Sequence, residues 1–495
     1  NIIFLIIEKS IGITSDIFKK EYIKLIILFS GGIFMEITKK SDRLGEEDIG
    51  PLLIKLSIPA IIGMLIQSLY NVIDSIYIGR LSTEALSALS LSFPIQMMLI
   101  AIGVGTGVGA SSLISRLLGQ NRVKRASNAA EHVILITVLY GIIVGVAGFF
   151  FADDIVRLFT DDPTLRNLAY QYIRIILIGS FGVFLPAVFN YILRGEGNTV
   201  APMVTMLIGA ILNIILDPFI IFGIGFFPKL GVQGAALATV FSRFVGGIFI
   251  TYILFSDKNE IQIRLKDFEF DFEIIKEIYQ VGVPAMVNRI LVSIAVVGVN
   301  KIVGSFNTTA IAVVGMFFRL QSFFLMPIFG LNQGYLPLVG YNYGHGNPQR
   351  MKKTIFYGSL IAFFFAFIGF LLFRIFPEPL IKLFNSDPEL LRLGIPALRR
   401  ISFAYLFMSL NILGSATFQA IGKGVPSLFI SLLRQTVLLL PVMYFLGDTF
   451  GVDYTWFAYS IAESITLVVV VIWLSVSIKK AIYGMNKQET ARKKI

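Results

Sequence analysis

The chain contains no cysteine among its 495 residues, so neither disulfide bonds nor thiol chemistry contribute to its structure or activity. Charged residues are also scarce, at 15% of the sequence, whereas about a quarter of the residues of a typical soluble protein are charged. The GxxxxGK(S/T) sequence that cradles nucleotide phosphates is absent. These absences exclude a disulfide-stabilised domain, disfavour an ordinary soluble protein, and remove a P-loop ATPase as the source of energy.

Apolar stretches make up most of what is present. Hydrophobic residues account for 56% of the chain, and the mean hydropathy is +0.79. Each stretch is long enough to cross a bilayer as a helix, which takes about 20 residues, and the alternating pattern of a transmembrane barrel is missing. We therefore predict an all-α polytopic membrane protein with twelve transmembrane helices, at 53–79, 88–115, 127–152, 168–192, 200–227, 233–256, 277–304, 309–340, 354–376, 392–418, 425–447 and 454–478.

The net charge of +11 is distributed in a way that indicates topology rather than nucleic-acid binding. Basic residues cluster after the second and eighth predicted spans and in the tail, whereas the loops on the other side are acidic or uncharged. By the positive-inside rule the basic connections and both termini are cytoplasmic. The clusters are Arg122, Lys124 and Arg125, then Arg350, Lys352 and Lys353, and the segment 479–494.

Two predicted spans each contain one aspartate, Asp74 in the first and Asp217 in the fifth. A carboxylate in hydrocarbon is costly, so it normally faces a bundle interior or a water-filled cavity and marks an ion or substrate pathway. Gln67 and Asn71 share one helical face with Asp74, and Asn213 shares a face with Asp217. This pattern favours a transporter.

The two aspartates are predicted to lie at similar depth. At 1.5 Å per residue, Asp74 lies roughly 30 Å along its span from Leu53, and Asp217 roughly 25 Å along its span from Val200. Helix geometry therefore readily allows the two carboxyl groups to share one site, although two separate interhelical hydrogen bonds remain the alternative. Carboxylates can be neutralised by a proton or by a cation, and Asn71 and Asn213 offer neutral oxygens. We expect coupling to H⁺ or Na⁺, with a candidate Na⁺ site at Asp74, Asn213 and Asp217.

The chain repeats itself at a constant offset that aligns residue 59 with residue 284. Four glycine pairs match at this offset, together with the Pro59-Ala60 and Pro284-Ala285 pairs. An even number of spans separates the copies, so they are parallel repeats related by an axis near the membrane normal. Two six-helix lobes related by pseudo-twofold symmetry follow. The glycine pairs are Gly79 and Gly304, Gly105 and Gly330, Gly109 and Gly334, and Gly119 and Gly344.

These patterns divide the chain into six parts. The N-terminal segment is rich in Ile and Lys and precedes a more ordinary polar lead that begins at Met35, so we hypothesise that residues 1–34 are a non-native extension translated from upstream DNA. The predicted parts are the extension 1–34, a cytoplasmic lead 35–52, an N-terminal lobe 53–256, a cytoplasmic linker 257–276, a C-terminal lobe 277–478 and a basic cytoplasmic tail 479–495.

Several segments in order resemble the multidrug and toxic compound extrusion (MATE) family over about residues 45–480. They are YNVIDSIYIGRLSTEALSA after Pro59, GVGTGVGASSLISRLLGQ, LRGEGNTVAPM, LNIILDP and GVQGAALAT. The resemblance implies twelve helices in two lobes and export of organic cations against inward flow of protons or sodium ions. It also implies that Tyr172, Asn190 and Thr239 join Gln67 in lining the substrate cavity of the N-terminal lobe.

Pro59 and the C-terminal lobe refine this expectation. A proline inside a helix permits bending, so Pro59 is either a conformational hinge or a static kink. Residues 281–304 of the seventh predicted span and the whole tenth predicted span contain no acid, unlike the corresponding helices of many sodium-coupled members. The chain thus resembles the archaeal and DNA-damage-inducible branch. Four charged residues of this lobe remain without an assigned partner or orientation, namely Arg289, Arg319, Arg434 and Glu463.

The sequence therefore favours a secondary active multidrug exporter, and not an enzyme, that exchanges amphipathic or cationic organic compounds for H⁺ or Na⁺ by alternating access. We expect no cofactor, no nucleic-acid partner, a monomer, and a multi-pass protein in the plasma membrane of a prokaryote. The alternative is a flippase for lipid-linked oligosaccharides or peptidoglycan precursors, whose anionic diphosphate substrates would require a basic cavity.

Overall fold

The structure is a computed structural model that describes residues 42–225, 227–384 and 386–492, except for the side chains of 308 and 486–492. The predicted extension 1–34 and the end of the basic tail lie outside these residues. A short helix, Asp42–Glu46, precedes the first long one. The six helices of the first repeat are α1 (Ile49–Gly79), α2 (Thr83–Gly119), α3 (Val123–Arg157), α4 (Pro163–Ile178 and Phe181–Gly195), α5 (Val200–Phe222) and α6 (Gly231–Leu254).

The second repeat follows a connection that contains one short 3₁₀ turn, Leu265–Asp267. Short helices, Pro377–Lys382 and Val452–Thr455, precede α10 and α12. The long helices are α7 (Phe272–Phe306), α8 (Thr308–His345), α9 (Pro348–Ile375), α10 (Pro388–Ala420), α11 (Gly424–Leu432, a π-helical turn Leu433–Leu438, and Leu439–Phe450) and α12 (Phe457–Arg492).

The helix count confirms the predicted fold class. Eleven of the described helices are long and apolar enough to cross a membrane, and the two halves of α4, bent by 49°, make up a twelfth span. Equivalent helices of the two repeats begin at equivalent positions because the same positions carry N-terminal capping residues. Ser82 and Asn307 cap α2 and α8 with their side chains, and Asp162 and Asp387 do the same for α4 and α10, each just before a proline at the first helical position.

Three of the four matched glycine pairs lie where the two lobes cross. A Cβ atom at Gly105 of α2 would lie 2.8 Å from the Gly282 carbonyl oxygen of α7, and one at Gly330 of α8 would lie 2.7 Å from Ile61 Cα of α1. Small residues let helices approach this closely. The pseudo-twofold symmetry predicted from the sequence is therefore present in the contacts themselves, because α2 meets α7 as α8 meets α1.

The lobes are closed at the end where α2 and α8 finish. A Cβ atom at Gly119 would lie 2.8 Å from the His345 backbone nitrogen. Ser112 donates to the Gln419 carbonyl oxygen at 2.5 Å. Arg194 of α4 donates to Gln333 of α8 at 2.9 Å. These contacts join the lobes on the side that the charge pattern predicts to be cytoplasmic, so with that topology the protein is closed to the cytoplasm.

The hydrophilic connection between the lobes is bound to α3 rather than extended in solvent. Backbone N–H groups of Gln262 and Arg264 donate to side chains of α3, the latter to Glu131 Oε1 at 2.7 Å. The Asp271 N–H donates to His132 Nε2 at 2.8 Å, and the His132 ring lies against that of Phe268. The start of the second repeat is therefore held against the first lobe.

Candidate functional site

The two intramembrane aspartates lie together inside the N-terminal lobe. Helix α5, which carries Asp217, packs against both α1, which carries Asp74, and α6. Asp217 is 0% exposed and Asp74 is 9% exposed. Their carboxyl groups lie within interaction distance of each other. Because two like charges so close repel in a medium of low dielectric constant, the pair favours a shared proton or a bound cation.

Asn213 connects this pair to α6. Its Nδ2 donates to Asp217 Oδ1 at 3.1 Å and lies 3.4 Å from Thr239 Oγ1. Helical spacing explains the first contact, since side chains four residues apart share a face. Thr239 is 3% exposed and Asn213 is 1% exposed. The predicted polar residues of α5 and α6 thus form one buried group with the aspartates.

Three oxygens of this group have no hydrogen-bond donor among the described residues. They are Asp74 Oδ1, Asn213 Oδ1 and Asp217 Oδ2, and each is buried. A buried oxygen without a partner is costly, and such groups in folded proteins usually bind a ligand, an ion or a water, or serve a functional role. Three together, two of them from carboxyl groups, are suited to a proton or a monovalent cation.

A cavity of about 170 Å³ opens beside the group. Five residues predicted for the site line it, and the other polar residues of the lining are Tyr70, Ser75, Gln96 and Arg243. Asp217 and Asn213 do not line this cavity. They lie behind Asp74, so Asp74 connects the buried group with the open space. The five predicted lining residues are Gln67, Asn71, Asp74, Tyr172 and Thr239.

The structure gives less direct support to the roles predicted for Asn190 and Pro59. Asn190 lies in the second half of α4, is 6% exposed, and has an Oδ1 atom with no donor among the described residues, but it does not line the cavity. Pro59 lies inside α1, which continues as a helix from Ile49 to Gly79. Its role as a hinge therefore stays a prediction.

Arg243 is the site residue that the sequence analysis missed. Its Nη2 donates to the Tyr70 hydroxyl at 2.7 Å, and its charge acts on Asp74 and Tyr172. The signal was available, because Arg243 is the single charged residue inside the predicted span 233–256. An intramembrane cation of this kind is as strong a functional candidate as an intramembrane aspartate.

The charged residues left unassigned in the C-terminal lobe now have places. Glu463 Oε1 pairs with Arg434 at 3.5 Å, and its Oε2 accepts from Asn411 at 2.7 Å. Arg289 lies over the Phe329 ring at 5.9 Å, whereas Arg319 is exposed. Arg434 belongs to the π-helical turn of α11. This lobe thus pairs its buried carboxylate directly with an arginine, whereas no ion pair within 4.0 Å joins Arg243 to Asp74 among the described residues.

Among the described residues, no group of three or more His, Cys, Asp or Glu side chains could hold a metal ion. A sodium ion would therefore depend on two carboxylates and the Asn213 amide oxygen. Those three oxygens are the unpartnered ones. The donor set fits a proton equally well, since a protonated carboxyl would donate to one of the same atoms.

Comparison with known proteins agrees with the two-repeat fold. The MatE family profile matches residues 59–219 and 284–445, two ranges that begin at the equivalent prolines of the two repeats. The chain is 30% identical over 423 residues to the multidrug export protein MepA of Staphylococcus haemolyticus, covering 85% of this chain and 92% of that protein. It is 28% identical over 403 residues to an FAD transporter of Shewanella oneidensis, covering 81% and 89%.

Solved structures show the same fold. The crystal structure of a MATE transporter in complex with MaL6 superposes with a TM-score of 0.84 at 31% identity, over 90% of this chain and 99% of that one. The matched ranges contain Asp74 and Asp217 and span both lobes. The chain belongs to the MATE family of membrane transporters.

Proposed function

We propose that this protein exports amphipathic, mainly cationic organic compounds from a prokaryotic cell across the plasma membrane in exchange for H⁺ or Na⁺. One observation carries the proposal. The unpartnered oxygens of Asp74, Asn213 and Asp217 lie beside a cavity that can admit a cationic group. The relationship to a multidrug export protein supports the same class of cargo.

The exchange follows from the two charge states of the aspartate pair. When both carboxyl groups are ionised, the pair attracts a cation from the cavity, because the surroundings of low dielectric constant strengthen the attraction. When a proton or sodium ion occupies the pair, that attraction is lost and the cargo leaves. Ion and cargo thus compete for the same charge, and this competition couples their movements.

The size of the cavity limits which part of a cargo it receives. Its volume of about 170 Å³ is smaller than the roughly 300–1,000 Å³ of sites that enclose drug-sized ligands. We therefore assign it to the charged head of the cargo. The apolar body would lie towards Phe93, Met97 and Ile100, which line the same cavity. Flexible and aromatic walls tolerate different shapes, which suits a broad range of compounds.

A flippase for anionic diphosphate lipids is less well supported. Such cargo requires a basic cavity, and here two carboxyl groups share the site with one guanidinium group, that of Arg243. One relative is named an FAD transporter, and FAD is anionic, so anionic cargo also occurs among the relatives of this chain. Flavin and diphosphate-lipid uptake assays with the same vesicles would therefore be informative controls.

The test uses purified protein in liposomes loaded with a fluorescent organic cation. We expect cation movement when either a pH gradient or a sodium gradient is imposed, and the active gradient identifies the coupling ion. The exposed Asp154→Asn variant, which changes an aspartate near the end of α3 and outside the site, should behave like the wild type. Equal cation movement with and without both gradients would contradict the proposal.

A further inference from the structure

Arg243 places a fixed positive charge beside the aspartate pair. It lies on α6 one helical turn from Thr239, and it lines the same cavity as Asp74. Its guanidinium donates to the Tyr70 hydroxyl at 2.7 Å. No ion pair within 4.0 Å joins it to Asp74 in the part of the chain that is described, so it acts on that carboxylate through space.

This arrangement leaves both groups available. Tyr70 holds the guanidinium in position, while Asp74 Oδ1 keeps no donor among the described residues. A direct Arg243–Asp74 pair would close the site to any cargo cation. A guanidinium held by a tyrosine instead lowers the net negative charge of the cavity and leaves the carboxylate open.

The charge count is simple because an arginine stays protonated in proteins. With both aspartates ionised, Asp74, Asp217 and Arg243 together carry one net negative charge. One monovalent cation neutralises that charge. A divalent cation would leave an excess positive charge in a buried site, where uncompensated charge is costly.

Building on the proposed function, we infer that Arg243 determines the charge of the cargo and makes the N-terminal site selective for monovalent over divalent organic cations. Because the site carries one net negative charge, one monovalent coupling ion is enough to replace one monovalent cargo molecule. Neither a broad apolar cavity nor the aspartate pair alone carries this selectivity, because two aspartates without Arg243 would match two positive charges.

The test is equilibrium binding of two dyes to the purified full-length protein, in sodium-free buffer at alkaline pH. Ethidium carries one positive charge, and propidium carries the same ring system with a second, quaternary ammonium. The wild type should bind ethidium more tightly than propidium. Arg243→Gln should shift the ratio of the two affinities towards propidium by about tenfold or more, as expected for one added charge at short range in a protein interior.

Two further variants separate charge from shape. Arg243→Lys keeps the positive charge and should keep the wild-type ratio, whereas Arg243→Met keeps the aliphatic stem and should behave like Arg243→Gln. The double variant Arg243→Gln with Asp217→Asn restores a net charge of minus one, so its ratio should return towards that of the wild type. An unchanged ratio in both neutral variants, with both dyes still bound, would overturn the inference and leave the proposed function intact. A wild-type protein that binds neither dye would contradict both.

Discussion

Ser115 of α2 and Gly340 of α8 occupy equivalent positions of the two repeats and touch each other across the pseudo-twofold axis. A Cβ atom at Gly340 would lie 3.3 Å from the Ser115 Cβ. Both residues lie in the region where the lobes are closed. The axis that the repeat implies is therefore a physical contact between two equivalent residues.

The first prediction tests whether this contact must open during transport. Ser115→Cys with Gly340→Cys should form a disulfide under mild oxidation, because the Cβ atoms are close to the separation of about 3.5–4.5 Å that a disulfide spans. The bond would prevent the lobes from separating on that side, so transport should stop and return after reduction. The unsubstituted chain contains no cysteine, so only the introduced thiols can react. Each single-cysteine variant, oxidised in the same way, therefore controls for effects of oxidation without a cross-link. Full transport by cross-linked protein would show that this contact need not open.

The second prediction concerns the aspartate pair. Asp74→Asn and Asp217→Asn should each abolish gradient-driven efflux, because an amide cannot bind or release the coupling proton or carry the charge that holds a cation. Asparagine preserves size, so expression and membrane insertion should stay at the wild-type level. Dye efflux and size-exclusion profiles measure the two properties separately. Wild-type efflux in either variant would remove that residue from the mechanism.

The third prediction tests the glycine crossings. Gly109→Leu should destabilise the closed arrangement, because a Cβ atom there would lie 3.2 Å from the Gly282 backbone nitrogen and closer still to Ile278. Overpacking of this kind costs about 1–3 kcal/mol. Gly315→Leu on α8 is the matched control, since nothing lies within 4 Å of a Cβ atom there. Thermal unfolding of the two purified variants should differ clearly, and equal midpoints would contradict the role of the crossing.

The fourth prediction concerns Arg125 and Arg350, which also occupy equivalent positions of the two repeats. Arg125 of α3 pairs with Glu277 of α7 at 3.0 Å, and Arg350 of α9 donates to the Glu47 carbonyl oxygen, just before α1, at 2.7 Å. Each therefore holds the start of the other lobe. Replacing either with Gln should favour separation of the lobes on that side. For the partly exposed Arg125 pair the effect should be about 0.2–1 kcal/mol.

The measurement for that prediction is maleimide labelling of Ser112→Cys, which is buried at the lobe contact. Labelling should rise when Arg125→Gln or Arg350→Gln is added. High salt should mimic the Arg125 change by screening an ion pair, but it should have little effect on the Arg350 contact with a carbonyl group. Labelling that is unaffected by both substitutions would contradict a holding role.

The fifth prediction is a pH dependence from Glu196, which lies in the connection after α4. Burial raises the pKa of Glu196 to about 8, although the Ile261 backbone N–H donates to its carboxyl group. Because the folded-state pKa lies above the ordinary value of 4.5, the contribution of the protonated carboxyl to stability is complete below that value and is lost as the pH rises through about 8.

Thermal unfolding over this pH range measures the effect. Glu196→Gln should flatten the decline in stability between these pH values, because the amide stays neutral. Glu269→Gln changes an exposed glutamate in the connection before α7 and should leave the decline as it is. A decline of the same size in Glu196→Gln would assign it to another group.

Much of the candidate site could be predicted from the sequence, since Asp74 and Asp217 stand out in apolar spans and helical spacing puts Asn71 and Asn213 on their faces. Arg243 could have been found in the same way, as the single charged residue of the sixth span, but its partners depend on the side chains that α1 and α4 bring to it. The pairing of Arg434 with Glu463 could not be predicted from the sequence. A hydropathy pattern gives the depth of a residue in the membrane but not the direction in which its side chain points.

The sequence by itself determined the number of spans, their duplication at a constant offset, and the presence of acidic groups in the first lobe. These are properties of composition and order along one chain, and a bilayer turns them directly into helices because every backbone polar group must be satisfied within its own span. Only the tertiary structure decided which lobe surfaces touch, why Gly105 and Gly330 must be glycine, and which oxygens of Asp74, Asn213 and Asp217 are left without a donor. Those outcomes depend on contacts between residues that are far apart in the chain, and helix packing alone sets them.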